Sequence, residues 1–346
     1  MSEIVDVSFD LKSYEYSEAF RIANNVKDKA NNIEVKVYLK DGTVGIGEAS
    51  SSYRVNGEKV PALFALKDTL KEMISGEDVR NYRRIFNITD GLSRTAPSVK
   101  AAVQYATLDA LSAVIGLPVY QILGGSKSKI HTDKTIGIDT IDNMVKKSIK
   151  TFNDGFKTLK IKIGENLKED IEKMIAISEA TPGASYIVDA NQGYTTKTAI
   201  QFAQSIYAQN VNVVVFEQPI MWNDLDGLKL LRYNSPFPIA ADESAKTKYD
   251  VYTLIRNECV DFVNIKLMKS GISDALSIVE LAKTANVGLM IGCMGESSLG
   301  INQSVHFAAG TGAFTYHDLD SHMLLKEKFH GKFKQEGDAL IPNPVV

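Results

Sequence analysis

The chain predicts an α/β fold, a modified (β/α)8, TIM-like barrel of (β/α)7β form preceded by an N-terminal α+β capping domain. Three observations carry that expectation. Five short apolar runs, KIKIG, YIVDAN, VVVFEQP, PIAADES and FVNIKLMKSG, carry Lys162, Asp189, Glu217, Asp242 and Lys266 at their ends, spaced 27, 28, 25 and 24 residues apart. That spacing is about one strand–helix unit. Each run is β-branched and too short for a helix, as a strand buried on both faces should be. A charge at the C-terminal end of such a strand lies where a (β/α) barrel builds its active face. The length of 346 residues with 44% hydrophobic content allows one large core and a smaller one, since a barrel takes about 250 residues.

Taken in order, the first 125 residues form the capping domain. Segments 3–11 and 32–40 alternate apolar and polar residues, as half-buried antiparallel strands do. Asp41–Gly42 is a turn into a further strand, TVGIGEAS. Residues 59–75 and 77–87 read as helical, and 97–118 as the clearest helix, opened by Pro97 and ended by Gly116–Pro118. Residues 126–320 then alternate regularly. Strands are expected at 130–138, 158–164, 185–191, 213–219, 238–243, 262–268, 288–294 and 314–319. Helices are expected between them at 140–153, 167–180, 196–209, 224–233, 247–257, 272–285 and 298–309. Eight strands with seven helices indicate a closed parallel barrel. An open doubly wound sheet is disfavoured because no G-x-G-x-x-G follows the first strand. Residues 321–346 lack a strong helical pattern and are expected to pack back on the capping domain.

Composition narrows the partners. A formal charge of −3 with scattered Lys and Glu gives no electrostatic case for nucleic acid. Cys259 and Cys293 are far apart and lack metal-type spacing, which fits a reduced compartment. The acidic start MSEIVDVSFD has no apolar h-region, and no run approaches a membrane span, so a cytoplasmic location is expected. The partners expected are a small-molecule substrate and further copies of the chain in a homo-oligomer, without nucleic acid or membrane.

Three carboxylates at consecutive strand ends repel one another unless a cation neutralises them. Asp189, Glu217 and Asp242 are therefore candidate ligands of one divalent ion, and Mg²⁺ suits oxygen donors while leaving room for water and substrate. The competing explanation is that each acid caps the helix that follows. Lys160 and Lys162 alternate with Ile161 and Ile163, so both lysines face the interior. Lys266 lies several strands around the barrel from Lys162. A lysine acting as a base must lose its proton far below about 10.4. Burial, a nearby cation and the like charge of Lys160 push in that direction. Lys162 reads as a base and Lys160 as the neighbour that tunes it.

The set KIKIG, VDANQGY, FEQP, ADES and NIKLMKSG resembles the muconate-lactonising branch of the enolase superfamily. AAVQYATLDALSAVIGLPVYQILGG resembles the closing element of that superfamily's N-terminal domain, so the likeness spans nearly the whole chain. The resemblance implies Mg²⁺ ligands at Asp189, Glu217 and Asp242 and acid–base lysines at Lys162 and Lys266. It implies removal of a proton beside a metal-bound carboxylate through an enediolate. Two lysines on opposite faces of one carbon permit a 1,1-proton transfer, although the same apparatus serves β-elimination and cycloisomerisation.

FTYHDLDSH places Asp318 and Asp320 at alternate positions, facing one way. Such a pair suits a substrate ammonium, or else a helix cap or a solvated turn. The D-x-D resembles the signature of the superfamily's dipeptide epimerases. It implies a dipeptide with its carboxylate on the metal, its α-carbon between Lys162 and Lys266, and its ammonium at Asp318 and Asp320. The best-known substrate of those enzymes is L-Ala-D/L-Glu, from peptidoglycan recycling. Loops near 18–25 and 50–57 are expected over the barrel mouth, where Arg21 or Arg54 could pair with a glutamate side chain, each equally readable as a surface arginine. Asn25 stands where that specificity would place an arginine. Glu296 either hydrogen-bonds the site or caps the next helix, and Glu243 and Asn191 read as supports of the ligands or, for Asn191, as a turn residue. His306 reads as a packing histidine and Cys293 as a small filler. The alternatives are an N-acylamino acid racemase or o-succinylbenzoate synthase, whose substrates lack a free ammonium, an acid-sugar dehydratase, or a non-catalytic barrel that binds Mg²⁺ or a small acid.

Overall fold

Alternating apolar residues make the first element a sheet. The computed structural model describes residues 1–22, 25–93 and 95–343, with backbone alone for 18–22 and 25–27. Strand β1 (Ile4–Ile22) and β2 (Asn25–Leu39) form an antiparallel hairpin, and β3 (Val44–Ser50) pairs with β2. Ile33, Val35, Val37 and Leu39 are buried along one face of β2. The hairpin runs beyond the expected 3–11 and 32–40, because pairing continues to Glu15–Lys29 and resumes after a register shift at Phe20–Lys27. The added stretch of β2, NVKDKAN, is too polar to show the alternation, although Tyr14 and Tyr16 of β1 continue it.

The helix Pro97–Ile115 is apolar on almost every side because two elements cover it. Strand β3 lies so close that a Cβ on Gly45 or Gly47 would meet Ala106 O at 2.0 Å or Ala102 O at 2.1 Å. On its other side Gln104 Oε1 accepts from Ile272 N (2.7 Å) and Ser273 N (3.1 Å) of the helix Leu267–Ala285. Each fully buried Val, Ile or Leu at these contacts contributes roughly 1.5–3 kcal/mol.

After β4 (Ile130–His131), eight parallel strands follow in sequence order and lie side by side. They are β5 (Lys134–Ile136), β6 (Thr158–Lys162), β7 (Ser185–Asp189), β8 (Val213–Glu217), β9 (Ile239–Ala241), β10 (Phe262–Ile265), β11 (Gly288–Ile291) and β12 (Tyr316–His317). Asp133 N donates to His317 O (2.9 Å), Leu319 N to Thr132 Oγ1 (2.8 Å) and Thr135 N to Asp320 Oδ2 (2.6 Å), which joins the last strand to the first. The expected (β/α)7β barrel is the fold observed. Ile161, Ile163, Val188, Phe216, Ile239 and Ile265 pack outward in the large core shared with the helices. Ile187, Val215, Ala240 and Met290 form a separate small cluster inside the barrel.

Further local expectations differ. The strand expected at 130–138 divides into β4, which pairs with the C-terminal hairpin, and β5, which opens the barrel. The helix expected at 59–75 is interrupted between Val60–Phe64 and Lys67–Ile74. The strand expected at 262–268 stops at Ile265, because Leu267 already opens a helix that breaks at Gly271 (φ 72°). The C-terminal segment splits between two partners. Strand β13 (Leu325–Lys326) pairs with β1 of the capping sheet, whereas the hairpin β14 (Phe333–Glu336) and β15 (Ala339–Pro342) pairs with β4 at His131 and Ile130.

Candidate active site

The parallel register builds the site. Lys162 is level with Asp189, and Asp189 with Glu217, so three strand ends present their last side chains in one row. Asp242 and Lys266 follow the ends of β9 and β10 and complete it. Lys162 Nζ donates to Asp189 Oδ2 (2.5 Å) and Asn191 Oδ1 (3.1 Å) at one end. Lys266 Nζ donates to Asp242 Oδ2 (2.7 Å) at the other. The two lysines thus flank the three acids.

The helix-cap explanation fails for each acid. The helices Thr196–Ala208, Leu225–Asn234 and Lys248–Arg256 are capped by Thr195, Asp224 and Thr247 instead. Glu296 is not a cap either, since Ser297 accepts from Leu299 N at the start of the helix Ser298–Thr311. Asp320 precedes the short helix Ser321–Leu324 but makes no side-chain cap bond.

Lys160 is fully buried beneath the row, with its Nζ 2.6 Å from Asp318 Oδ2, 2.7 Å from Glu217 Oε2 and 3.2 Å from Asp189 Oδ2. Burial alone would lower its pKa, but Asp318, Glu217 and Asp189 outweigh burial and hold it well above the ordinary value. Its charge is paired by these acids, although it still opposes the charge on Lys266. Lys266 is likewise pushed up, because Asp242 overcomes the opposing effect of burial. This is the reverse of the lowered pKa expected of a lysine base, and its cause is the ion pair. Burial opposes ionisation of Asp189, yet Lys162 and Lys160 keep it below its ordinary value; burial and then Asp189 raise Glu217.

Several contributors were not singled out from sequence. Asn264 Nδ2 donates to Glu217 Oε1 (2.6 Å); it alternates with Lys266, so same-face spacing was its signal. Lys269 Nζ donates to Asp242 Oδ1 (2.6 Å), Asp242 O (2.6 Å) and Asn264 O (2.9 Å), tying two strand ends together. Its pKa is lowered by burial despite Asp242. Asp133 projects beside Asp318, is 2% exposed, and neither carboxylate oxygen has a hydrogen-bond partner. Burial, then Asp318 and Asp320, push it well above the carboxylate range.

The remaining candidates sort by position. Asn191 serves both readings, sitting at φ 41° and contacting Asp189 and Lys162. Glu243 accepts from Gln192 Nε2 (3.1 Å) and is raised to about 7 by burial and the charges of Asp242 and Asp189. Glu296 is fully buried with Oε1 unpartnered, and burial raises it to about 6. His306 bridges Tyr120 N and Lys332 O, a packing role. Cys293 is more than a filler, because its Sγ is 3.8 Å from Asp320 Oδ1. Arg54 is exposed on the short helix Tyr53–Asn56, outside the buried cluster. Arg21 pairs with Val26 and Asn25 with Ile22 through their backbones, and the side chains of Arg21 and Asn25 lie outside the described residues.

The paired domains and the row of lysines and acids match a known pattern. The description "Mandelate racemase / muconate lactonizing enzyme, N-terminal domain" matches residues 10–124, and "Enolase C-terminal domain-like" matches 144–343. The chain belongs to the mandelate racemase / muconate lactonizing enzyme family. Within that family it is 59% identical to an L-Ala-D/L-Glu epimerase of Thermotoga maritima over 98% of this chain and 99% of that one. The substrate-liganded L-Ala-D/L-Glu epimerase of Bacillus subtilis superposes with a TM-score of 0.95 at 30% identity, covering 98% of this chain and 96% of that one. A dipeptide epimerase of Enterococcus faecalis complexed with Mg and L-Leu-L-Tyr superposes with a TM-score of 0.94 at 32% identity, covering 99% and 98%.

Proposed function

We propose that this family member is an Mg²⁺-dependent dipeptide epimerase, an isomerase that inverts the α-carbon of the C-terminal residue by 1,1-proton transfer. The observation that carries the reading is the placement of Lys162 and Lys266 at opposite ends of the acid row. The metal fits the donor set: Asp189, Glu217 and Asp242 are buried all-oxygen donors, and Asn264, Asn191 and Lys269 orient them from behind. Glu217 Oε2 has no hydrogen bond, only the Lys160 ammonium at 2.7 Å. When bound there, the cation supplies positive charge that favours proton loss beside a carboxylate.

The chain's own groups do the rest. One of Lys162 and Lys266, as the free amine, takes the α-proton, and the other, as the ammonium, returns a proton from the opposite face. Lys160 offsets the negative charge beneath them. Asp318 and Asp320 receive the dipeptide ammonium through charge-assisted hydrogen bonds, with Glu296 completing the wall on the Cys293 loop. L-Ala-D/L-Glu or a related dipeptide is the substrate proposed, supported by the identity to the Thermotoga enzyme. Arg21 and Arg54 are the proposed contacts for an acidic second residue, testable by the change in KM for Ala-Glu against Ala-Ala in R21A and R54A.

Incubating L,L-dipeptides with the protein and Mg²⁺ in D₂O and following the α-proton by NMR tests the proposal. Deuterium should enter only the C-terminal residue. Chelation should stop the exchange and Mg²⁺ restore it. Exchange confined to N-acylated amino acids would overturn the role of Asp318 and Asp320. A place in peptidoglycan recycling belongs to the same proposal, and accumulation of the unepimerised dipeptide in cells lacking the protein is its test; a cytoplasmic setting is supported by two free, buried cysteines suited to a reducing compartment. Assembly as a homo-oligomer is supported by exposed Tyr233, Tyr249 and Tyr252 and is checked by light scattering.

A further inference from the structure

The corner formed by β5, β12 and the loop after β11 gathers more buried acids than the ammonium beside it can pair. Cys293, Asp318 and Asp320 each offer a ligand atom within 4.8 Å of the others, and among the described residues this is the group that converges so tightly. All three are buried. Asp318 Oδ2 is taken by Lys160 and Asp320 Oδ2 by Thr135 N, which leaves one oxygen of each acid beside the thiol. A second, independent feature points the same way. Asp133, whose backbone N bonds the residue just before Asp318, brings two buried oxygens with no hydrogen-bond partner to the same corner. An unpaired buried carboxylate costs several kcal/mol unless a proton or a cation reaches it.

The donor set differs in kind from the acid row. Asp189, Glu217 and Asp242 offer oxygen alone and suit a hard cation, whereas a thiolate with two carboxylates suits a softer, thiophilic one such as Zn²⁺ or Cd²⁺. We infer that Cys293, Asp318 and Asp320 form a second cation site, selective for thiophilic divalent ions, with Asp133 as its outer acid. Binding forms an S–metal bond and releases the Cys293 thiol proton to solvent, so affinity rises with pH. Because the proposed function places the substrate ammonium on Asp318 and Asp320, an ion held there excludes the dipeptide. Thiophilic metals are then competitive inhibitors even when Mg²⁺ is saturating. This last step rests on that functional reading; the binding of the ion does not.

Reduced protein in saturating Mg²⁺ is titrated with Cd²⁺ while near-ultraviolet absorption of the Cd–thiolate bond is followed, a signal that carboxylates and Mg²⁺ do not give. One Cd²⁺ per chain is expected, with the signal lost in C293S, kept in C259S, and weakened in affinity by at least about tenfold in D320N. No signal, or a signal that follows Cys259, overturns the site. D320N preserves the thiol and the side-chain volume, so it keeps the test decisive if C293S folds poorly: unchanged Cd²⁺ affinity in D320N also overturns the site. A final arm adds dipeptide. Competition with Cd²⁺ supports both readings, while tight Cd²⁺ binding without competition leaves the metal site standing and removes the ammonium from Asp318 and Asp320.

Discussion

Two groups of three acids face the interior of one barrel, and they are balanced differently. In the row of Asp189, Glu217 and Asp242, the outer acids are paired by Lys162 at one end and by Lys266 and Lys269 at the other, with Lys160 beneath. Asp189 and Asp242 are held below their ordinary pKa against the opposing effect of burial, Asp189 by Lys162 and Lys160 and Asp242 by Lys266 and Lys269. In the corner of Asp133, Asp318 and Asp320, the ammonium of Lys160, already shared with Glu217, contacts Asp318. Burial and the mutual repulsion of these acids push Asp133 and Asp320 upward. The row can exchange its internal cations for another cation and remain balanced. Among the described residues the corner has no cation beyond its share of the Lys160 ammonium, and an incoming ammonium is what it suits. In the pose proposed above, a dipeptide zwitterion brings one charge to each region, the carboxylate towards the row and the ammonium towards the corner.

The comparison breaks most sharply at the row's ends. K162A and K266A are each expected to lower epimerisation by at least about a thousandfold, within the span of general acid–base effects. Each should still exchange the α-proton of one epimer with D₂O, and opposite epimers for the two variants. If either variant epimerises normally, or both exchange the same epimer, the division of labour between the two ends is wrong.

At the corner, D320N removes charge without changing volume. A charge-assisted hydrogen bond is worth about 1.5–3 kcal/mol, so KM for a free dipeptide should rise roughly ten- to hundredfold with a smaller change in kcat. An N-acetyl dipeptide, which has no ammonium, should bind no worse to D320N than to the wild type. Equal losses on both substrates would assign Asp320 to the frame, through its bond from Thr135 N.

K269M tests the support of the row. Removing one partner of a buried pair costs about 3–5 kcal/mol, and Lys269 also ties Asp242 O to Asn264 O. The melting temperature should fall by several degrees, and the Mg²⁺ requirement should rise with it. A fall in stability without a change in Mg²⁺ affinity would limit Lys269 to the fold.

How far these features were legible follows from strand geometry. The row was readable because a residue at the end of a doubly buried strand has no apolar reason to be charged, and the repeat of such ends marks the barrel. Asn264 was within reach by the same period of two. Lys269 was hidden because KLM continues the apolar run of β10 and disguises the start of a helix, whose first turn swings Lys269 back towards Asp242. Asp133 was hidden because it precedes its strand rather than ending it, and only the closure of β5 against β12 reveals its neighbours. The split of the C-terminal segment could not be read, since β13 and β15 find partners more than a hundred residues away.

The smallest effect is expected where the capping domain grips the site. Glu48 on β3 is fully buried, accepts from Asn32 Nδ2 (3.1 Å) and Ser297 N (2.8 Å), and bonds the Ser297 hydroxyl. Gln303 clamps the same residue, taking Glu48 N (2.7 Å) and donating to Glu48 O (3.1 Å). These bonds fix the loop that carries Cys293 and Glu296 beside the corner. Burial raises Glu48 from 4.5 to about 8, with Glu296 and Glu327 adding repulsion and Tyr14 facing it. The folded form therefore holds a proton that the unfolded chain gives up near 4.5. The stability from this group is complete below that value and is lost as pH rises through about 8. E48Q keeps the shape and cannot ionise, so its melting temperature relative to the wild type should climb between about pH 5 and pH 9. Parallel pH profiles for the two proteins would mean that Glu48 ionises freely in the fold, and that the loop beside the corner is held by Gln303 and Asn32 without it.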